Sequence, residues 1–241
     1  MLNLFKKGLI RLLQRRGYCV SFGEPATFTG ILSAFDNRKG EFFFVQIGAY
    51  DGMKSDPIQA SVRGSRWRGI LVEPQPDAFE RLKRNYANIP NLIFENVAIA
   101  ACEGFLPLYR LRDEFSHLFH GDHRMLSSFD REHVLKHLTE RVDAEIALET
   151  YLVQCVTLSG LFAKYAIEKV DLLQIDAEGY DYEILKLVDF PAGKPRIIHF
   201  EHAHLGSAER GECIQLLLSH GYRVVTGAYD MIAFQSRWMY N

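Results

Sequence analysis

The stretch 41–56, EFFFVQIGAYDGMKSD, constrains this chain more than any other. An apolar run, Phe42-Phe43-Phe44-Val45, passes through Gln46-Ile47 and breaks at Gly48-Ala49-Tyr50-Asp51-Gly52. Aromatic and β-branched residues that stop at a glycine pair predict a buried parallel strand entering a tight loop. The loop feeds a helix with a marked start. Asp56 can cap its free N–H groups, and Pro57 suits the first turn because its missing N–H would be unbonded there. In such a unit a ligand approaches the backbone at the strand's carboxyl end, and Gly48 and Gly52 leave space for it. Phosphate, dinucleotide and nucleoside ligands all fit that geometry.

The alternation continues downstream. Residues 68–74 predict a second strand ending in Glu73, and residues 77–88 a helix with Phe79, Leu82 and Tyr86 on one face. Residues 92–98 predict a third strand. Residues 170–175 predict a fourth, ending in Asp176-Ala177-Glu178-Gly179, and residues 196–200 a fifth, ending in Glu201-His202. Helices are expected at 57–64, at 158–166 behind the cap Thr157, at 181–188 and at 208–220. This succession implies an α/β fold with a parallel sheet and right-handed crossovers. Residues 222–226 and 231–235 predict an antiparallel pair at the sheet edge.

Between residues 103 and 150 the pattern loosens, and 130–148 reads as one long helix. The segment is expected to be a helical insertion, lying as a lid over the strands' carboxyl ends within one domain spanning 41–241. Residues 1–40 are expected to form a helical extension. Within it, residues 2–16 set Leu2, Phe5, Leu9, Leu12 and Leu13 on one face and most of the basic residues elsewhere. Packing on the domain or on a second subunit is favoured over peripheral contact with an anionic membrane, because a short helix with one anchor signal binds lipid weakly. The apolar residues there are interrupted by Lys6, Lys7 and Arg11, unlike a signal peptide. No apolar run approaches the roughly 20 residues that span a bilayer. The net charge of −2 argues against general nucleic-acid binding. Cys19, Cys102, Cys155 and Cys213 form no CxxC and read as reduced thiols of a cytoplasmic protein.

Four expected strand ends carry polar residues: Gln46, Glu73, Asp176 with Glu178, and Glu201 with His202. In an open parallel sheet these face one crevice, and several acids there cost stability unless a ligand, a cation or hydrogen bonds compensate. Glu73 lies 25 positions after Gly48, where an acid accepts hydrogen bonds from both hydroxyls of a ribose. A P-loop needs GxxxxGK[ST], and the spacing Gly48–Gly52–Lys54 does not match it. GxGxxG is absent too, and Asp51 would repel a pyrophosphate. An acidic loop instead suits a ligand with positive charge, such as the amino group or sulfonium of S-adenosylmethionine.

FVQIGAYDG, GILVEPQPDAFERLKRNY, NVAIA and VDLLQIDAEGYDYEIL closely resemble the FkbM-type S-adenosylmethionine-dependent methyltransferases, over about residues 42–205. The resemblance implies a Rossmann-like class I methyltransferase fold, a seven-stranded, mostly parallel sheet with an antiparallel edge strand. By resemblance, Gly48, Ala49, Asp51 and Gly52 line the cofactor loop, and Glu73, with Pro74 beside it, holds the ribose. Asn96, Val97 and Ala98 would lie by the adenine, and Asp176 beside the methionine part. Gln46 stands where many methyltransferases carry an acid; it can hydrogen-bond the cofactor ammonium without pairing its charge. Gln174 stands where many relatives have lysine. These two departures leave open a non-catalytic nucleoside-binding or scaffold protein, and Glu73 leaves open a dinucleotide-dependent oxidoreductase, which the glycine spacing disfavours.

The family acts mostly on hydroxyls of sugars and related natural products, which implies O-methylation of a small-molecule or glycan acceptor, as in polysaccharide biosynthesis. His202 is the first candidate base, since histidine titrates nearest neutrality. Glu201, Asp176 and His199 follow. Acids after the fourth and fifth strands also resemble the metal-ligand layout of some cation-dependent O-methyltransferases, with Asp176, Glu201 and His202 as a set for Mn²⁺ more than Mg²⁺. The HxxHxxH of His117, His120 and His123 reads as a solvated loop. His133 and His137 share a helix face with nothing nearby to complete a set. Ser127 and Ser128 would by resemblance meet substrate or cofactor, or else cap the helix starting near Asp130.

Overall fold

A computed structural model describes residues 27–36, 42–64 and 67–235 of the chain. The amphipathic stretch 2–16, Cys19 and most of the expected N-terminal extension lie outside the described residues; the helix Phe28–Asp36 lies within them. Strands β1 (Phe43–Ile47), β2 (Arg68–Val72) and β3 (Leu92–Glu95) come first. Strands β4 (Ala98–Ile99), β5 (Gly104–Leu111), β6 (Ser127–Ser128) and β7 (Leu148–Val156) follow. The chain returns with β8 (Leu172–Ile175), β9 (Ile197–Glu201), β10 (Arg223–Thr226) and β11 (Asp230–Phe234).

Seven strands form one sheet in the order β10-β11-β9-β8-β1-β2-β3. Strand β1 is central, pairing in parallel with β2 (Ile47 opposite Val72) and with β8 (Ile47 opposite Ile175). Helices cover both faces, so Phe44, Val45, Ile70, Leu71, Leu172 and Leu173 are all fully buried without a polar alternation. This is the class I arrangement that the resemblance implies. One detail differs. The reversed strand, β11, is not outermost; it pairs antiparallel to both β9 and β10, and β10 is the edge. No described helix is long and apolar enough to cross a membrane.

The expected helical insertion is a correction: it is built on a second, four-stranded sheet, β4-β7-β5-β6. Strands β5 and β7 pair antiparallel from Gly104 opposite Cys155 to Leu111 opposite Leu148. The single helix expected over 130–148 is two short ones, Arg131–Lys136 and Ala144–Ala147. They part because Thr139 gives both its N–H and its hydroxyl to the Leu118 carbonyl, at 2.8 and 3.2 Å. Asp143 then caps a new start by accepting from the Glu145 N–H. Leu138, Val142 and Ala144 still pack inward, against a small core of Leu111, Leu126, Val134, Ala147 and Leu148. Their helical spacing is satisfied by tertiary contacts, not by one continuous helix.

Candidate active site

The carboxyl ends of β1, β2 and β8 open into a cavity continuous with solvent. The core supplies Gly48, Glu73, Val97 and Asp176 to its wall, and the insertion supplies Leu108, Met125 and Ser127. Gly48 makes the first turn possible. Its φ is +78°, its N–H and that of Ala49 both donate to the Val72 carbonyl, and a Cβ on it would lie 1.7 Å from the Asp176 carbonyl oxygen. Gly52 shares the constraint of a positive φ, +68°, and adds one of packing: a Cβ there would meet the Tyr86 ring at 2.1 Å, beyond the end of the helix Pro76–Asn85.

Glu73 is buried, and both its oxygens are held by backbone: Oε2 accepts from the Tyr50 N–H and Oε1 from the Gln75 N–H, each at 2.8 Å. Burial pushes its carboxyl up to about 7, against the pull of those two bonds. Gln46, buried at the cavity wall, hydrogen-bonds Asp56, and its Oε1 has no partner among the described residues. Pro74, Ala49 and Ala98 also border the cavity. Asn96 does not; its Nδ2 donates to the carbonyls of Glu73 and Pro74 and so fixes the backbone beneath them.

Asp51 corrects the electrostatic expectation. Its carboxylate accepts from the N–H groups of Met53 and Lys54, at 2.9 and 3.0 Å, and lies off the cavity wall. The acidic side chains on the wall are Asp56, Glu73, Asp176 and Glu178. Asp176 opens toward solvent through the cavity and accepts no hydrogen bond on its carboxylate from any described residue. The surrounding protein, and then the charge of Glu201, push its carboxyl up to about 7. Glu178, held at a φ of +47°, is pushed up to about 9, first by burial and then by Asp176 and Glu201.

The first candidate base is corrected as well. His202 is buried, its Nε2 lies 3.2 Å from the Gly227 carbonyl between β10 and β11, and it does not reach the cavity. His199 stacks on Phe28 with ring centroids 3.8 Å apart, and burial pushes it down to about 4. Its Nδ1 meets Gln174 Oε1 at 2.7 Å across the β8–β9 register, so Gln174 satisfies a buried imidazole. Asp176, Glu201 and His202 therefore do not form a metal set. Glu201 instead meets His204 at 3.2 Å, and His204 joins His133 and His137. The expectation that nothing completes that histidine pair is overturned. Its signal was Glu201-His202-Ala203-His204, in which Glu201 and His202 leave the strand on opposite faces. The HxxHxxH does not converge: His123 Nε2 pairs with Asp113 at 2.7 Å and His117 Nδ1 with the Glu114 carbonyl at 3.2 Å. Both Ser127 and Ser128 line the cavity, but Asp130 is its own helix cap.

These shifts set a pH dependence. Glu73 and Glu178 ionise at higher pH in the folded protein than in the unfolded chain, so the folded state holds more protons and stability falls as pH rises toward their folded values. His133, pushed down to about 3, and His199 act oppositely, but only below the ordinary histidine range. Above pH ~6.5 the carboxylates act first, each by at most roughly 1.4 kcal/mol per pH unit, and the buried thiols of Cys155 and Cys213 add in the same direction toward pH 9. The thermal midpoint of the ligand-free protein should drop between pH 6.5 and 9, by up to about 8–16 °C for a full loss of roughly 4 kcal/mol. A scan showing it level or rising would contradict this account.

A model of the methyltransferase FkbM domain matches residues 46–224, more than half of the chain. No curated protein matches it. Among solved structures, a precorrin-6y C5,15-methyltransferase from Geobacter metallireducens is 13% identical with a TM-score of 0.44, over 90% of this chain and 95% of that one. A methyltransferase FkbM from Methylobacillus flagellatus is 13% identical with a TM-score of 0.49, over 82% of this chain and 45% of that one. An S-adenosylmethionine-dependent O-methyltransferase from Thermotoga maritima is 12% identical with a TM-score of 0.42, over 90% and 67%.

Proposed function

The chain belongs to the FkbM family of S-adenosylmethionine-dependent methyltransferases, and from that premise we propose that it methylates a hydroxyl of a sugar or related small-molecule acceptor. The observation that carries the reading is Glu73. Two backbone N–H groups orient its carboxylate at the end of β2, leaving its remaining lone pairs for the two ribose hydroxyls. The other residues fit the same cofactor. The unpartnered Gln46 Oε1 is an acceptor for an ammonium group, and Val97 and Ala98 offer an apolar wall to the adenine.

Bound there, S-adenosylmethionine supplies a methyl group already activated by its sulfonium. What remains for the protein is alignment, which can contribute roughly 7–11 kcal/mol, and removal of the hydroxyl proton, which contributes about 10²–10⁴-fold. Asp176 takes that proton as the oxygen–carbon bond forms. It lines the cavity, its carboxylate is otherwise unbonded, and its pKa of about 7 keeps a large ionised fraction at neutral pH. Glu178, at about 9, is mostly protonated there and is the weaker base. Ser127 and Tyr50 add hydroxyl groups to the wall for a polar acceptor.

Titration calorimetry with S-adenosylhomocysteine tests the cofactor reading. Glu73→Ala removes a charge-assisted acceptor and should weaken binding by about 1.5–3 kcal/mol, roughly 10–150-fold. Wild-type affinity should also fall as pH drops below 7 and Glu73 becomes protonated. Undiminished binding by the variant would remove the assignment of Glu73. Methyl transfer from labelled cofactor to a panel of glycans and lipid-linked sugars tests the acceptor; tight cofactor binding with no transfer to any of them would argue against it.

A further inference from the structure

Three imidazoles meet beside the cavity. His133 and His137 come from the helix Arg131–Lys136 and its C-cap in the insertion, and His204 from the loop after β9. Their ring centroids are 4.9, 4.7 and 4.8 Å apart, and one ring nitrogen from each lies within 4.8 Å of the others. His204 Nε2 also stands 3.2 Å from Glu201 Oε2 and 3.7 Å from Glu178 Oε2, and these three form a second mutually close set. The cluster is thus three imidazoles and two carboxylates sharing one histidine.

A second observation points to a ligand. His133 is only 4% exposed, yet its Nε2 has no hydrogen-bond partner, and the buried Nε2 of His137 has none either. A buried imidazole nitrogen without a partner bears its full desolvation cost. The other edge of His133 is closed off, since a Cβ at Gly179 would come within 2.6 Å of its Nδ1. Glu201 Oε2 lies 3.2 Å from His204 Nε2, so a carboxylate also faces the cluster.

We propose that His133, His137 and His204 bind one divalent transition-metal ion of the zinc type. Three imidazoles with an open fourth position suit Zn²⁺ or Co²⁺, whereas Mg²⁺ prefers oxygen ligands throughout. Histidines four positions apart on a helical turn present both rings to one ion. The ion ties the insertion to the loop after β9 and sets a positive charge beside Glu201. Glu178, shared with the cavity wall, brings the metal next to the site of methyl transfer. The site uses residues other than those assigned to the cofactor, so its test is independent of that assignment.

The test is a Co²⁺ titration of the full-length protein after dialysis against a chelator, read by visible absorption and followed by displacement with Zn²⁺. One equivalent of Co²⁺ should bind with the intense bands of a four- or five-coordinate nitrogen–oxygen site, Zn²⁺ should bleach them, and Zn²⁺ should raise the thermal midpoint. His137→Asn and His204→Asn should each weaken binding by about 100-fold or more, beyond the roughly 10–100-fold cost of losing an outer-shell partner. His117→Asn, at an exposed position of the short 3-10 helix Asp113–Leu118, should leave it unchanged. Circular dichroism and cofactor affinity report whether each variant is folded. Failure of the wild type to bind Co²⁺, binding untouched by His137→Asn and His204→Asn in folded protein, or preference for Mg²⁺ would each overturn the site.

Discussion

Gly48→Ala is expected to cost more than 4 kcal/mol and to lower the thermal midpoint by about 8–16 °C. The new Cβ would sit 1.7 Å from the Asp176 carbonyl oxygen and 2.8 Å from its carbonyl carbon. Both are backbone atoms, so no side-chain rotation relieves the contact. Forcing them apart breaks the Asp176 N–H bond to the Ile47 carbonyl, 2.9 Å long, and the end of the β1–β8 pair. A positive φ adds roughly 1–2 kcal/mol of strain for any residue with a Cβ. Gly52→Ala should be milder because the atoms it meets belong to the side chains of Tyr86 and Leu82. Gly64→Ala, with nothing within 4 Å, is the control expected to be neutral or slightly stabilising. Scanning fluorimetry of the three variants ranks them; a Gly48→Ala protein with the wild-type midpoint would show that the close approach is not real.

That contact also explains which parts of the molecule were legible beforehand. The core strands are buried on both faces, so each is a short apolar run, and each ends at a polar residue or glycine that marks the carboxyl side. Gly48, Glu73 and Asp176 could be assigned to one crevice because strand ends in a parallel sheet share it. The insertion obeys no such rule. Pro107 within β5 argues locally against a strand, and only the partner Leu152 in β7 makes it one. Asp51 is an acid in the right loop, but its nearest unsatisfied donors were two backbone N–H groups of its own turn, and local bonding won. The base failed for a geometric reason available in the sequence. Adjacent residues at a strand end point to opposite faces, so if Glu201 belongs to the cluster beside the cavity, His202 cannot. His204 was reached through the turn beyond the strand, where no periodicity indicates where a side chain goes.

Asp176→Asn should lower kcat by about 10²–10⁴-fold while leaving the cavity shape intact, since the amide is nearly isosteric. Two roles compete for this side chain, and they separate experimentally. A residue that merely anchors the amino-acid part of the cofactor would lose affinity for S-adenosylhomocysteine when neutralised. A base would lose turnover and keep affinity. The open carboxylate favours the second role, and Gln46 Oε1 already offers an acceptor for the ammonium group. The pH profile supplies an independent sign. A base must be ionised to act, so wild-type kcat should rise with pH through about 7, and the residual activity of the variant should lack that step. Neutralising Asp176 also removes a repulsion with Glu201, so the variant should gain stability above pH 7 even as it loses turnover. Loss of activity with unchanged or improved stability excludes misfolding as the cause.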